Sequence, residues 1–259
     1  MADYTNDYLL DKHIKIFQPT TGYRASSDAV LLSSVVGNVR QNEKILDLGS
    51  GTGAVSLCLA HRFPSSEITG FEIQPFLVEL SNLSAAANNF DNLRFINRDL
   101  RIASHEGHGQ FHHVVSNPPY AAEDMPSPNK SKACAHNFQN FSLAEWLEQA
   151  LKFLRPQGYL YLVNRAEAID EILFKLHGIT GDICIIPLYS KHGQNAKRVL
   201  IRARKSSHGK TRIFAGLTIH QDNGAYTPAA IAPENTLNSV FFTIFTVQER
   251  KQVLPLICF

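Results

Sequence analysis

The chain has 259 residues, 44% of them hydrophobic, and a formal net charge of +2. That length fits one large domain with small additions, and the apolar content suffices for a sizeable buried core. So mild a charge excludes reading a polynucleotide partner from net charge alone, and leaves the question to how the basic residues are distributed. Cys58, Cys134, Cys184 and Cys258 are scattered, with no CxxC pair and no clustered His/Cys spacing. They read as small apolar residues of a reducing compartment, and no metal is expected. The first residues lack a basic stretch followed by an apolar run, so no signal peptide is expected. No apolar stretch is long enough to span a bilayer, and a cytoplasmic location is the default.

In chain order, segment 27–37 reads as a helix closed by Gly37. Segment 44–48 is a short apolar strand, 53–62 an amphipathic helix ended before Pro64, and 67–73 a second strand. A helix over 75–89, a strand over 93–97 and a strand over 111–116 follow. Ser142 and Glu145 have capping-box spacing for a helix through Leu154, which Pro156 and Gly158 end. A strand over 159–163, a helix over 167–177 closed by Gly178, and a strand pair over 182–189 and 197–204 complete the pattern. The loop 121–141 is long for a compact domain, and such loops are usually lids or binding loops. This alternation predicts an α/β fold with a doubly wound, mostly parallel seven-stranded sheet and an antiparallel terminal hairpin. Residues 1–237 are expected to form one domain, with 1–26 as an N-terminal cap and 238–259 as an extension of unassigned role.

Two motifs carry chemistry. Gly49, Gly51 and Gly53 form a GxGxG turn between a strand and a helix, where bare backbone lets a ligand approach free helix N–H groups. The spacing is not the GxGxxG of dinucleotide sites. Asp47, Glu72 and Asp99 fall at the carboxyl ends of three successive strands, where open α/β sheets bind ligands. Glu72 can accept both ribose hydroxyls of an adenosine, and Asp99 can accept from an adenine amine. The second motif, Asn117-Pro118-Pro119-Tyr120, leaves the fourth strand. Its prolines remove donors, so the turn presents acceptors. Together the motifs point to methyl transfer onto a planar amide or amine nitrogen.

Motif order and spacing resemble the class I S-adenosylmethionine-dependent methyltransferases, a Rossmann-like group. That resemblance implies S-adenosylmethionine as cofactor, held by Asp47, Gly49, Gly51, Gly53, Glu72 and Asp99 with Asn117 at its edge. It also implies Asn117, Pro118, Pro119 and Tyr120 as the catalytic turn. A conjugated amine is a poor nucleophile. The Asn117 side-chain oxygen and the Pro118 carbonyl can accept its two N–H groups and localise its lone pair, while Tyr120 stacks on the base. Segment 17–32, opening Phe17-Gln18-Pro19-Thr20-Thr21-Gly22-Tyr23-Arg24, is similar to the opening motif of bacterial tRNA adenine N6-methyltransferases acting on adenine 37 of a valine tRNA. Ala196–Arg202, Leu217–His220 and Tyr226–Pro228 fit the same family, and tRNA is the implied partner. Asn137 stands where that family often has an acid, and 238–259 matches nothing expected of it. Two other readings compete: methylation of a protein glutamine amide or of a guanine amine in ribosomal RNA, and a catalytically silent adenosine-binding RNA module.

The basic residues are local. Between 191 and 212 lie Lys191, Lys197, Arg198, Arg202, Arg204, Lys205, Lys210 and Arg212, without an acidic residue. Lys191, Lys197, Arg198, Lys205 and Lys210, with Arg24, are the expected RNA contacts, although the alternation in 198–202 buries some of this run. His112 and His113 read as strand residues rather than ligands.

Overall fold

The computed structural model describes residues 3–37, 39–102, 105–119 and 141–230. Tyr120, most of the 121–141 loop, Cys134, Asn137, Cys258 and the 238–259 extension lie outside them. Seven strands build the main sheet: β3 (Lys44–Leu48), β4 (Glu67–Glu72), β5 (Leu93–Asn97), β6 (Phe111–Ser116), β7 (Leu154–Arg165), β8 (Thr180–Tyr189) and β9 (Ala196–Lys205). Their order is β8-β9-β7-β6-β3-β4-β5. All are parallel except β9, which runs antiparallel to both β7 and β8. Two short strands, β10 (Arg212–Ile213) and β11 (Leu217–Thr218), add to the free edge of β8.

Helices cover both faces, so the central strands are apolar throughout rather than alternating. Ile45, Leu46 and Leu48 of β3 are fully buried. One apolar layer packs α1 (Ser27–Val35) and α2 (Ala54–Arg62) on the sheet, and the other packs α4 (Leu143–Phe153) and α5 (Ile169–Leu176). Helix α3 (Pro75–Ala87) lies between β4 and β5. The expected capping box opens α4: Glu145 N–H donates to Ser142 Oγ and Ser142 N–H to Glu145 Oε2. Among the described residues no helix is long and apolar enough to cross a membrane.

Three local departures from the sequence reading have physical causes. Pro156 and Gly158 do not separate helix from strand; β7 starts at Leu154 and absorbs them in a register shift against Phe111/His113. The helix expected from Glu167 begins as a 3-10 turn over Ala166–Ala168. The N-terminal cap is a β-hairpin, β1 (Tyr4–Leu9) with β2 (Ile14–Pro19), turned through left-handed Leu10, Asp11 and Lys12. Its signal was the alternation in β2, where Ile14 and Ile16 are fully buried. It docks on α3 through Phe17 N–H to Ser84 Oγ (2.9 Å) and Lys15 N–H to Asn88 Oδ1 (2.8 Å).

The β9 strand carries the basic run in both directions from its centre. Its first residues lie at the carboxyl end of the parallel strands, beside Tyr189, and its last lies beside Thr180 at the opposite end. Lys205 is therefore at the far end. Its ammonium donates to the Leu151 and Leu154 carbonyls at 2.5 and 2.7 Å, closing the C-terminus of α4. A cation on those carbonyls also opposes the helix dipole. Lys205→Met keeps the hydrocarbon stem and loses the cap, and should lower the unfolding free energy by about 1–2 kcal/mol in urea titrations. An unchanged midpoint would remove the cap from the list of stabilising contacts.

Candidate active site

The carboxyl ends of β3, β4 and β6 meet at one place because these strands are parallel neighbours. The glycine turn leaves β3 there. Gly49 and Gly51 have φ of 75° and 55°, which a side chain would resist. Space forbids one too. A Cβ at Gly49 would sit 2.6 Å from the Trp146 ring, and one at Gly51 2.6 Å from the Tyr23 ring. The turn is bound to β4 by Gly49 and Ser50 N–H, both donating to the Phe71 carbonyl at 2.9 Å.

Two carboxylates stand beneath the turn. Asp47 is 1% exposed and accepts from Ser56 Oγ at 2.7 Å. Burial pushes its carboxyl up to about 7, against the pull of Ser56, and the nearby Glu72 charge adds to the rise. Glu72 is buried and is likewise held above its ordinary value by burial. The Gln74 and Gly51 N–H groups, each 2.9 Å from one of its oxygens, work against that rise. Each Glu72 oxygen keeps a lone pair beyond these bonds. Ser50 Oγ and Thr52 Oγ1 are buried in the same turn without a hydrogen-bond partner among the described residues. Orphaned hydroxyls beside bare glycines and buried carboxylates suit a polar, cationic nucleoside ligand. The residues expected to hold S-adenosylmethionine thus include a fitting donor and acceptor set.

Asp99 follows β5 and faces a different neighbour. Its carboxylate takes Arg101 Nε at 2.9 Å and Nη2 at 2.6 Å, and this pairing holds it below the usual carboxylate range. Asn117 is half-buried, Pro118 buried and Pro119 exposed, directly after β6. Tyr120 lies outside the described residues.

A support absent from the sequence reading lies under this turn. Ser116 Oγ donates to the Leu48 carbonyl at 2.7 Å, and Trp146 Nε1 donates to Ser116 Oγ at 2.9 Å. All three are buried. The last residue of β6, the last of β3 and helix α4 are thereby tied at the point where both motifs leave the sheet. A lone tryptophan in an amphipathic helix gives no sign of this. Tyr23, within the opening motif but without an expected role, proves to lie over Gly51.

The histidines and basic residues are placed as follows. His112 Nδ1 accepts the Lys44 N–H at 3.1 Å, and His113 Nε2 meets Glu43 Oε2 at 2.8 Å, at the opposite end of β6 from the turn. Arg24 binds Asp7, Thr5 and the Pro19 carbonyl within the cap. Arg198 pairs with Asp28 at the start of α1. Lys191 donates to the Asp222 carbonyl at 3.0 Å, and Lys197 is exposed. These lie on the same rim as Asn117. Lys210 is exposed and, like Lys205, belongs to the far end. The basic run expected as one footprint is therefore divided by the hairpin.

A seven-stranded sheet with one antiparallel strand near its edge, a glycine turn over buried strand-end carboxylates and Asn-Pro-Pro after β6 define a class I methyltransferase. The crystal structure of a predicted O-methyltransferase from Agrobacterium tumefaciens superposes with a TM-score of 0.66 at 25% identity, covering 80% of this chain and 95% of that one. A tRNA1(Val) (adenine(37)-N6)-methyltransferase of Porphyromonas gingivalis is 28% identical over 91% of this chain and 96% of its own length. One from Actinobacillus pleuropneumoniae is 30% identical over 69% of this chain and 75% of its own. The chain belongs to the Methyltransferase small domain family, whose model matches residues 25–178.

The buried Asp47 gives the fold a pH signature. Its folded carboxyl titrates near 7 and its unfolded one near 3.8. Between those values the folded state holds a proton that the unfolded chain has released, so stability falls as pH rises. Relative to Asp47→Asn, the parent's unfolding free energy should fall by about 1 kcal/mol per pH unit across that window. Parallel pH profiles for the two proteins in chemical denaturation would show that Asp47 is ionised throughout.

Proposed function

We propose that the chain transfers a methyl group from S-adenosylmethionine to the exocyclic N6 of an adenine in tRNA, at position 37 of a valine tRNA. The observation that carries this reading is the junction of the two motifs. Asn117-Pro118-Pro119 leaves β6 beside the glycine turn, and the Ser116 Oγ bond to the Leu48 carbonyl ties the two strand ends. The names of the relatives in P. gingivalis and A. pleuropneumoniae support the tRNA and the base.

When bound, S-adenosylmethionine supplies an electrophilic methyl carbon on a cationic sulfur. Glu72 would take its ribose hydroxyls, the glycine turn its backbone contacts, and Ser50 and Thr52 its remaining polar groups. The buried Asp47 and Glu72 favour a cationic ligand, because a positive charge nearby offsets their burial. In the acceptor step the Asn117 amide oxygen and the Pro118 carbonyl would each accept one N6 hydrogen, holding the lone pair towards the methyl carbon. The bound cofactor would supply the methyl carbon to N6 with its sulfur as the leaving group, and the extra N6 proton would pass to water. No strong base is required, so positioning and electrostatics carry the rate. Lys191, Lys197 and Arg198 lie on the catalytic rim, where they can meet the polynucleotide backbone.

Incorporation of labelled methyl into bulk tRNA, followed by nucleoside analysis, tests the reading. The product should be N6-methyladenosine, and methylation of protein glutamine or of guanine instead would overturn it. Asn117→Ala should lower the single-turnover rate by about 100- to 1000-fold, with cofactor affinity within a few-fold. Retention of most of that rate would remove Asn117 from amine activation. Glu72→Ala should weaken S-adenosylmethionine binding by about 1–3 kcal/mol in calorimetry, the scale for a charged hydrogen bond. Unchanged affinity would take Glu72 out of the cofactor site.

A further inference from the structure

The segment Leu217–Pro228 has no part in the cofactor or catalytic turns, yet it is built with care. Ile219 and His220 N–H donate to the Tyr189 and Ser190 carbonyls at 2.8 and 3.0 Å, continuing the parallel pairing of β11 with β8. The chain then folds back on itself. Gln221 N–H donates to the Ala225 carbonyl at 2.8 Å, Thr227 N–H to Ile219 at 2.9 Å, and Thr227 Oγ1 to Thr218 at 2.7 Å. His220 and Tyr226 face each other with ring centroids 4.9 Å apart. Lys191 fastens the tip through the Asp222 carbonyl.

This small hairpin borders an open cleft of about 500 Å³ against the β8–β9 loop, lined by His192, His220, Gln221, Asp222, Asn223 and Thr227 among others. The position matters more than the size. Strand β8 is parallel to β7, β6 and β3 through its two antiparallel steps, so Tyr189 lies on the same rim as Ser116. Four strand spacings separate β11 from β6, about 19 Å along that rim. That is the reach of a few nucleotides of an extended strand whose target base occupies the catalytic turn.

The lining chemistry selects the ligand class. Two imidazoles, two side-chain amides and the Asp222 carboxylate line it; Gln221 Nε2 donates to the Tyr226 carbonyl and Asn223 Oδ1 accepts the Ala225 N–H, which leaves Gln221 Oε1 and Asn223 Nδ2 to meet the edge of a nucleobase. An imidazole backed by Tyr226 offers a flat face for stacking. His220 Nδ1 is shut off from solvent without a hydrogen-bond partner among the described residues. Exposed Lys197, at the start of β9 on the same rim, is available to a connecting phosphate.

We propose that this cleft is a second nucleobase subsite, which takes an unpaired base of the tRNA loop a few nucleotides from the methylated adenine and so fixes register and substrate choice. The inference rests on the tRNA reading of the active site. Direct phosphate contacts would add affinity without sequence; this pocket adds sequence.

The test uses the full chain and an unmodified valine tRNA transcript, with binding by fluorescence anisotropy and turnover by methyl incorporation. His220→Ala should weaken tRNA binding and raise KM for tRNA about five- to tenfold, the lower part of the range for one stacked base. At saturating tRNA, kcat should stay within twofold, and S-adenosylmethionine affinity should not change. His192→Ala, at an exposed position, should show the same pattern at about threefold, and decides the matter alone if His220→Ala does not fold. The slope of log affinity against log salt should match the parent's, because no phosphate contact is lost. A reduced slope would make the cleft a phosphate site and overturn the nucleobase assignment. Parental tRNA affinity in both variants, with the parent active on tRNA, would sink the subsite and leave the activity standing. A parent inactive on tRNA would overturn both.

Discussion

Aromatic rings occupy the space that side chains would take at three bare glycines. Trp146 fills it at Gly49, Tyr23 at Gly51 and Phe95 at Gly53. Each ring comes from a different element: α4, the loop before α1, and β5. The rest of the site depends on this packing. It fixes the left-handed turn, aims the free N–H groups at the ends of β3 and β4, and brings Trp146 Nε1 to Ser116, one residue before Asn117. A close-packed contact of this kind does not deform gradually; a single added methyl must move a ring or a strand end. The glycine turn and the Asn117-Pro118-Pro119 turn are in this way parts of one packed unit.

Against that rigid frame stand two buried carboxylates that folding alone would not favour. Asp47 and Glu72 are both driven up by burial, and the Glu72 charge adds to the rise at Asp47. Such groups are kept where a ligand gains from them. A cationic cofactor bound there would lower the cost of both at once, and the hydroxyls of Ser50 and Thr52, without partners among the described residues, could find them in the same event. The site thus holds its polarity ready before the ligand arrives, which is the sense in which positioning and electrostatics can replace a strong base.

Charge on the outside is organised by topology rather than by sequence order. Since β9 runs against its neighbours, one contiguous basic stretch supplies cations to two opposite ends of the sheet. At one end Lys205 closes a helix; at the other Lys197, Arg198 and Lys191 share a rim with Asn117 and with the Leu217–Pro228 hairpin. On the proposed reading, a polynucleotide laid along that rim would meet the Asn117 turn, the basic residues and the cleft beside β8.

The sequence by itself determined the elements of the central sheet, the α4 capping box, the glycine turn and the strand-end carboxylates. These are written in local terms: unbroken apolar strands, caps at fixed offsets, and glycines between strand and helix. Only the tertiary structure decided what depends on which residues meet across long separations. The Trp146–Ser116–Leu48 tie joins positions far apart in the chain, and a lone tryptophan or serine carries no periodicity that would announce it. The N-terminal hairpin was hidden because its short strands draw their stability from docking on α3. The antiparallel hairpin was legible too, but the partners that divide its basic run were not: Lys205 closes α4 through the Leu151 and Leu154 carbonyls, and Arg198 pairs with Asp28.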